Sequence, residues 1–305
     1  MQRLLSHTYS IDADILLRPN PRAALEAYIG DRREFRVAML EPPMPDYLAV
    51  ARARNCRITM LPRDPDDWED FDFNDLDEVW LANPSPVDGF FYPSTFYTKL
   101  ARYIAPFRHV RVLSDESTAV FSFNLEPPGS LAKVLGDERV ALSSSLYPLM
   151  SPQGPTAAWI LRRAQPGPGA VDVYGIEKED LAVTLAVLQT FLSRQGASFS
   201  EFTRRMVALE HGFRLFADRL KPALQTQVIT VPHWPETGFY VRLRCPALRK
   251  DGVKMEEACL DLAREQGLLV VPGTLFDEPD DFLVCYAAPH LILEEMAARL
   301  LRFVL

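Results

Sequence analysis

Lysine is scarce in this chain of 305 residues, occurring only at Lys99, Lys133, Lys178, Lys221, Lys250 and Lys254. Long apolar runs are missing. A bilayer-spanning helix needs about 20 consecutive, mostly apolar residues, so no membrane partner is expected. The opening stretch MQRLLSHTYSIDAD has neither the apolar core nor the small-residue cleavage site of a secretory leader, and the expected location is cytoplasmic. Cysteine is sparse and scattered, at Cys56, Cys245, Cys259 and Cys285. Without a C-x-x-C pair or a Cys/His cluster, neither a metal site nor a disulfide framework is expected. Positive charge is in deficit as well. The formal net charge is -8, which provides no general basic surface for neutralising phosphates and argues against nucleic acid as a partner. Arg32, Arg33 and Arg36, interrupted by Glu34, read as a solvated face. No Walker-type or G-x-G-x-x-G loop is found.

What is present is a soluble, globular composition, 48% hydrophobic and 24% charged, on a chain long enough for an ample core. Strand and helix patterns alternate through the first half. FRVAML (35–40), CRITMLP (56–62), EVWLANP (78–84), HVRVLSDES (109–117), RVALSSSLY (139–147) and TAAWILRR (156–163) read as strands. DYLAVARARN (46–55) and 93–103 read as helices, the latter with an early proline. Strands joined by helical crossovers imply a mostly parallel sheet with helices on both faces. A largely helical stretch follows from Glu177 to about Leu224, broken near Gly196. The last part reads strand (237–246), helix (255–267), strand (268–273), strand (281–289) and helix (292–305). The expected architecture is α/β, with a large domain over 1–225 and a small C-terminal α+β domain over 226–305.

Ligands of open parallel sheets sit at the carboxyl ends of the strands. The segments at those ends resemble the class I/II aminotransferases of pyridoxal-phosphate (PLP) fold type I. The histidinol-phosphate aminotransferase and threonine-phosphate decarboxylase branch is the most similar. The resemblance runs from about Asp14 to Leu305. LEPPMPDYLAVARARNCRITMLP (40–62) is similar to the family's strand, Pro, Tyr, helix, strand unit. LANPSPVDG (81–89) resembles its N-P-x-N-P-T-G turn, and VRVLSDEST (110–118) its strand ending in Asp-Glu-x-Tyr. VALSSSLYPLMSPQGPTAAWIL (140–161) resembles S-x-S-K followed by G-x-R-x-G. LVVPGTLFDEPDDFLVCYAAP (269–289) resembles the closing segment of the small domain.

The departures from that pattern carry the functional reading. In the family, PLP forms a Schiff base on a lysine that also moves the substrate proton. The resemblance puts that lysine near Leu146, yet no lysine lies between Lys133 and Lys178. The asparagine facing the ring oxygen falls at Pro86 and the tyrosine of Asp-Glu-x-Tyr at Thr118. The phosphate-binding arginine falls near Thr156, and the arginine gripping the substrate carboxylate at Leu283. The phosphate loop falls at Pro19, Asn20, Pro21 and Arg22, where two prolines remove backbone donors. The N-terminal arm is shortened. Asp115 remains where the family's aspartate meets the pyridine nitrogen. Asn20, Asn83, Ser143 and Ser145 are further vestigial positions.

Several residues allow a chemical reading beside a structural one. Asp115 and Glu116 are an acid/base pair or an inherited strand-end pair that caps a helix. Ser143 to Ser145 bind phosphate or satisfy loop backbone. His233, beside Trp234, stacks on a ligand or belongs to a surface loop. Phe90, Phe91, Tyr92, Phe96 and Tyr97 line a pocket or interface, or pack the core. The acidic stretch 64–78 meets a basic partner or is a solvated connection. The sequence therefore leads to a degenerate aminotransferase homologue, not a working transaminase. It would be a repurposed binder of a small molecule or of a pathway enzyme, with no cofactor expected. The resemblance implies a homodimer. Two alternatives stand beside this: a PLP-independent enzyme using Asp115, Glu116 or His233, and an enzyme that holds PLP noncovalently.

Overall fold

The computed structural model describes residues 13–32, 34–119, 131–135, 138–145, 157–163, 171–193, 197–248 and 253–305. They fall into two compact units. The first is built on eight strands: β1 (Ala13–Arg18), β2 (Arg36–Leu40), β3 (Arg57–Leu61), β4 (Glu78–Ala82), β5 (Arg111–Asp115), β6 (Val140–Ser145), β7 (Ala158–Arg163) and β8 (Val171–Val173). They hydrogen-bond in the order β3-β2-β4-β5-β6-β7-β1-β8. Only β7 runs against the others, pairing antiparallel with both β6 and β1. The expected α/β architecture, a mainly parallel sheet plus a separate C-terminal sheet, is what the chain adopts.

Local chemistry explains the helices between these strands. Helix α1 (Pro21–Ile29) starts at Asn20, whose Oδ1 accepts the Ala23 N–H at 2.8 Å, with Pro21 in the first turn, where its missing N–H costs nothing. Helix α2 (Pro45–Ala53) also opens on proline and buries Tyr47, Leu48, Val50 and Ala51. Helix α3 (Ser94–Ile104) buries Phe96, Tyr97, Leu100 and Ile104, one apolar stripe at helical spacing. The side chains of α1 and α2 share a core with Val37, Met39, Trp80, Leu113, Ala141 and Ile160 of the sheet. Trp80 meets Tyr47 edge-on at 5.6 Å. Burying each large side chain there contributes about 1.5–3 kcal/mol. At the start of β4, Glu78 is fully buried but not bare: Trp80 Nε1 donates to its Oε2 at 2.7 Å, Tyr28 donates to its Oε1, and Arg32 lies 3.8 Å away.

The periodicity of the sequence does not single out β1, α1 or β8. β1 becomes a strand by pairing with β7, and β8 is three residues held on β1. The acidic stretch proves to be scaffold in part. Trp68 and Phe73 are buried and packed edge-on, while Asp64 and Asp72 cap two short 3-10 turns. Helices α4 (Ala132–Leu135) and α5 (Lys178–Ser193) complete the described part of this unit.

The second unit takes Glu201–Leu305 together with the excursion Pro84–Phe91. The long helix α6 (Ala197–Gln225) contributes Phe213, Phe216, Leu220 and Ala223 to one core. That core also holds Val241 and Leu243 of β9 (Tyr240–Arg244), Ala258 and Leu262 of α7 (Met255–Gln266), and Phe282 and Val284 of β11 (Asp281–Cys285). Leu293, Ala297 and Leu300 of α8 (His290–Val304) close it. The expected strand over 268–273 shrinks to β10 (Val271–Pro272), the two residues that pair with β11, and a 3-10 turn begins at Gly273.

Within the excursion, Gly89 has φ +67°, and a Cβ there would stand 2.3 Å from the Thr237 carbonyl and 2.7 Å from Pro235 Cβ. Only glycine fits both the backbone angle and the approach. No described helix is long and apolar enough to cross a membrane.

Candidate functional site

The parallel register aligns three strand ends. Ala82 of β4 lies opposite Asp115 of β5, and Asp115 opposite Ser143 of β6. The ladder continues one residue further: Asn83 N–H donates to the Asp115 carbonyl and Glu116 N–H to the Ser143 carbonyl, both at 2.8 Å. The first unit thus gathers Asn83, Asp115, Glu116, Ser143 and Ser145, all of them buried, along one edge of the sheet.

Asp115 is 2% exposed. Tyr47 Oη donates to its Oδ2 at 2.7 Å, and the Ser117 N–H donates to its Oδ1 at 2.9 Å. Burial raises the carboxyl pKa while these donors pull it back. The same burial, helped by the Asp115 charge, raises Tyr47 well above the usual phenol range, so its proton stays on to donate.

Glu116 behaves differently. Its Oε1 has no hydrogen-bond partner among the described residues, and burial, with the Asp115 charge second, pushes its pKa up to about 8. Alternation along the strand directs Asp115 toward the α2 side and Glu116 toward the opposite face. There Glu116 adds to the forces that raise the Tyr97 hydroxyl of α3. The two acids are therefore not a hydrogen-bonded dyad. Asp115 is held by donors on both oxygens, whereas Glu116 is a neutral acid near pH 7.

Asn83 is spent on structure. Its Nδ2 donates to the Tyr92 carbonyl at 3.2 Å and contacts the Tyr97 hydroxyl, while its Oδ1 accepts the Tyr92 N–H at 2.9 Å. Tyr92, Phe96 and Tyr97 are buried, which is the core-packing reading of the aromatic group. Asn20 caps α1.

His233 belongs to the second unit, with its ring 4.6 Å from Phe90 and its Nε2 3.6 Å from Glu236. Neither unit by itself brings it to Asp115 or Glu116. Leu283, also in the second unit, is buried against Val87 and Phe276. Leu146 and Thr156 lie outside the described residues. Of the lysines, Lys99 is on α3, Lys133 on α4, Lys178 on α5, Lys221 on α6 and Lys254 at the N-cap of α7; Lys250 lies outside the described residues. No described lysine sits at a strand end.

Sequence reasoning missed Tyr47 as the donor to Asp115. It also missed a buried charge cluster on the small sheet. Arg242 there lies 3.8 Å from Asp88, 3.1 Å from Glu278 and 3.5 Å from Asp281. Arg244 Nε donates to Asp281 Oδ1 at 2.6 Å. The alternation of Arg242 and Arg244 with apolar residues along β9 was the available signal. Among the described residues there is no group of three or more His, Cys, Asp or Glu placed to hold a metal.

No family model matches the chain, and no curated protein matches it. Solved structures do. An aminotransferase from Escherichia coli superposes with a TM-score of 0.80 at 15% identity, over 99% of this chain and 79% of that one. The fold is that of the fold type I aminotransferases. An aspartate aminotransferase from Thermotoga maritima gives a TM-score of 0.73 at 15% identity, over 99% and 80%. An aromatic aminotransferase from Pyrococcus horikoshii OT3 gives 0.74 at 15%, over 99% and 83%. At such identities the likeness speaks for the fold type I frame alone; chemistry has to be argued from this chain's own side chains.

Proposed function

We propose that this chain is a fold type I homologue that does not work as a PLP transaminase and has been repurposed to bind a small molecule or a partner enzyme of a biosynthetic pathway. The observation that carries this reading is the placement of lysine: none between Lys133 and Lys178, and none of the described ones at a strand end. With no described lysine at the carboxyl edge of the sheet, an imine has no amine to form on and the proton transfer no lysine base.

The remaining polar groups support the same reading. The family's pyridine-facing carboxylate is here engaged by Tyr47 and the Ser117 N–H, and the Asn83 amide by Tyr92 and Tyr97. These groups hold the scaffold together. The residues present do not fit PLP. The reading includes a cytoplasmic location and a homodimer, as is usual for the fold.

A second reading is favoured by one feature. Glu116 is a buried carboxyl, its Oε1 without a hydrogen-bond partner among the described residues, that keeps its proton near neutral pH, the state a general acid requires. It makes PLP-independent proton-transfer chemistry at this strand end the alternative.

The test is a PLP titration followed by borohydride reduction and peptide mass spectrometry. The expected result is no imine absorption band and no lysine adduct. A stoichiometric adduct on one lysine would overturn the proposal. A reversible, unreduced PLP complex would move the protein to noncovalent cofactor use. Turnover of a metabolite without PLP, lost in Glu116→Gln, would support the second reading.

A further inference from the structure

The second unit carries a feature unconnected with the strand ends. His211 on α6 and His290 at the first turn of α8 face each other across the helix junction, with ring centroids 5.0 Å apart and planes inclined at 50°. Both side chains are exposed. Neither imidazole has a hydrogen bond or ion pair with another described residue.

The separation matches two imidazoles sharing one metal ion. A bond of about 2.0–2.1 Å from nitrogen to a divalent transition metal, plus ~1.1 Å from nitrogen to the ring centre, puts each centroid about 3.2 Å from the ion. Two such rings subtending roughly 90° at the ion stand about 4.5 Å apart, and two at the tetrahedral angle about 5.2 Å apart. The observed separation lies between these limits.

The backbone beneath the pair is set by close packing. Gly212 follows His211, and a Cβ at that position would stand 2.9 Å from Leu293 Cδ1. Leu293 is buried three residues after His290, in the same core as Phe213 and Phe216. The two imidazoles are thus presented from helices that touch at Gly212 and Leu293. The nearest acids along the two helices are already engaged by arginines: Glu210 with Arg214 at 2.5 Å, and Glu294 with Arg219. The donor set is therefore nitrogen only, which selects transition metals over Mg²⁺ and Ca²⁺.

We infer that His211 and His290 together chelate one divalent transition-metal ion, clasping α6 to α8, with the remaining coordination positions left to water or to a partner's side chain. The site is independent of the functional reading above and holds or fails separately from it.

The experiment is calorimetric titration of the full chain with Ni²⁺ and Zn²⁺, using Mg²⁺ as the control, on the wild type and on His211→Gln, His290→Gln, His109→Gln and Cys285→Ser. One site per chain is expected, absent with Mg²⁺. Each of His211→Gln and His290→Gln should weaken it by at least about tenfold, since even outer-shell losses cost 10–100-fold. His109→Gln and Cys285→Ser should leave it unchanged. Because the ion binds the folded form, Ni²⁺ should also raise the thermal midpoint of the wild type and not of the two histidine variants. Wild-type affinity in both histidine variants would overturn the inference. So would loss in only one of them, which would mean a single-imidazole contact.

Discussion

Replacing Glu116 with glutamine should stabilise this protein, by an amount that grows with pH. The carboxyl has an unpartnered oxygen, and its pKa is pushed from 4.5 to about 8 by burial and by Asp115. Between those values the unfolded chain has released the proton and the folded chain still holds it. Stability therefore falls as pH rises, by about 1.4 kcal/mol per pH unit. The penalty is absent below the unfolded value and complete above the folded one. Over roughly 3.5 units it reaches about 5 kcal/mol at most. Glutamine is nearly isosteric with the neutral acid and has no proton to lose.

The assay is urea denaturation followed by tryptophan fluorescence at about pH 5, 6, 7 and 8, on wild type and variant. Trp68, Trp80 and Trp159 all lie in the unit that holds Glu116. Taking the difference between the two proteins cancels the titrating groups they share. The difference should be small near pH 5 and rise by about 1.4 kcal/mol per unit toward pH 8. A difference that is constant, or that falls with pH, would refute the reasoning. It would mean that Glu116 is ionised in the folded protein and paired.

Three further outcomes follow from the same geometry. Tyr47→Phe removes the donor to Asp115 Oδ2 and should cost about 1–3 kcal/mol in urea stability at neutral pH, because a buried carboxyl group loses one of its hydrogen-bond donors. Gly89→Ala should destabilise the second unit by at least 1–3 kcal/mol (roughly), since it joins a strained positive φ to a clash with the Thr237 carbonyl; hydrogen exchange across 235–244 would report the loss. Arg242→Met removes the cation that Asp88, Glu278 and Asp281 share, while Arg244 still holds Asp281, and should cost about 1.5–3 kcal/mol. Adding Asp281→Asn should recover part of that, and no recovery in a double-mutant cycle would show that the cluster is not coupled.

Much of the frame is legible along the chain because its cause is local. Short apolar runs such as 35–40 and 109–117, separated by helical spacing, become β2 and β5 within a few residues. Pro93 marks the start of the helix over 93–103 by removing a donor that a helix does not need there. Gly89 reads as a turn residue, although only the second unit reveals what presses on it. β1, by contrast, is a strand because β7 is beside it, and 268–273 yields only Val271–Pro272 because only those two residues meet β11.

The strand-end edge divides in the same way. The sequence alone determined that no lysine lies between Lys133 and Lys178, and that Asp115, Glu116, Ser143 and Ser145 close two neighbouring strands, since composition and period-two alternation are properties of the chain itself. Only the tertiary structure decided what those residues are. Tyr47, 68 positions before Asp115, supplies the proton that satisfies Asp115. Glu116 Oε1 is left without a partner among the described residues, and Arg242 gathers Asp88, Glu278 and Asp281. Burial and hydrogen bonding depend on which distant segments the fold packs together, and no local pattern records that.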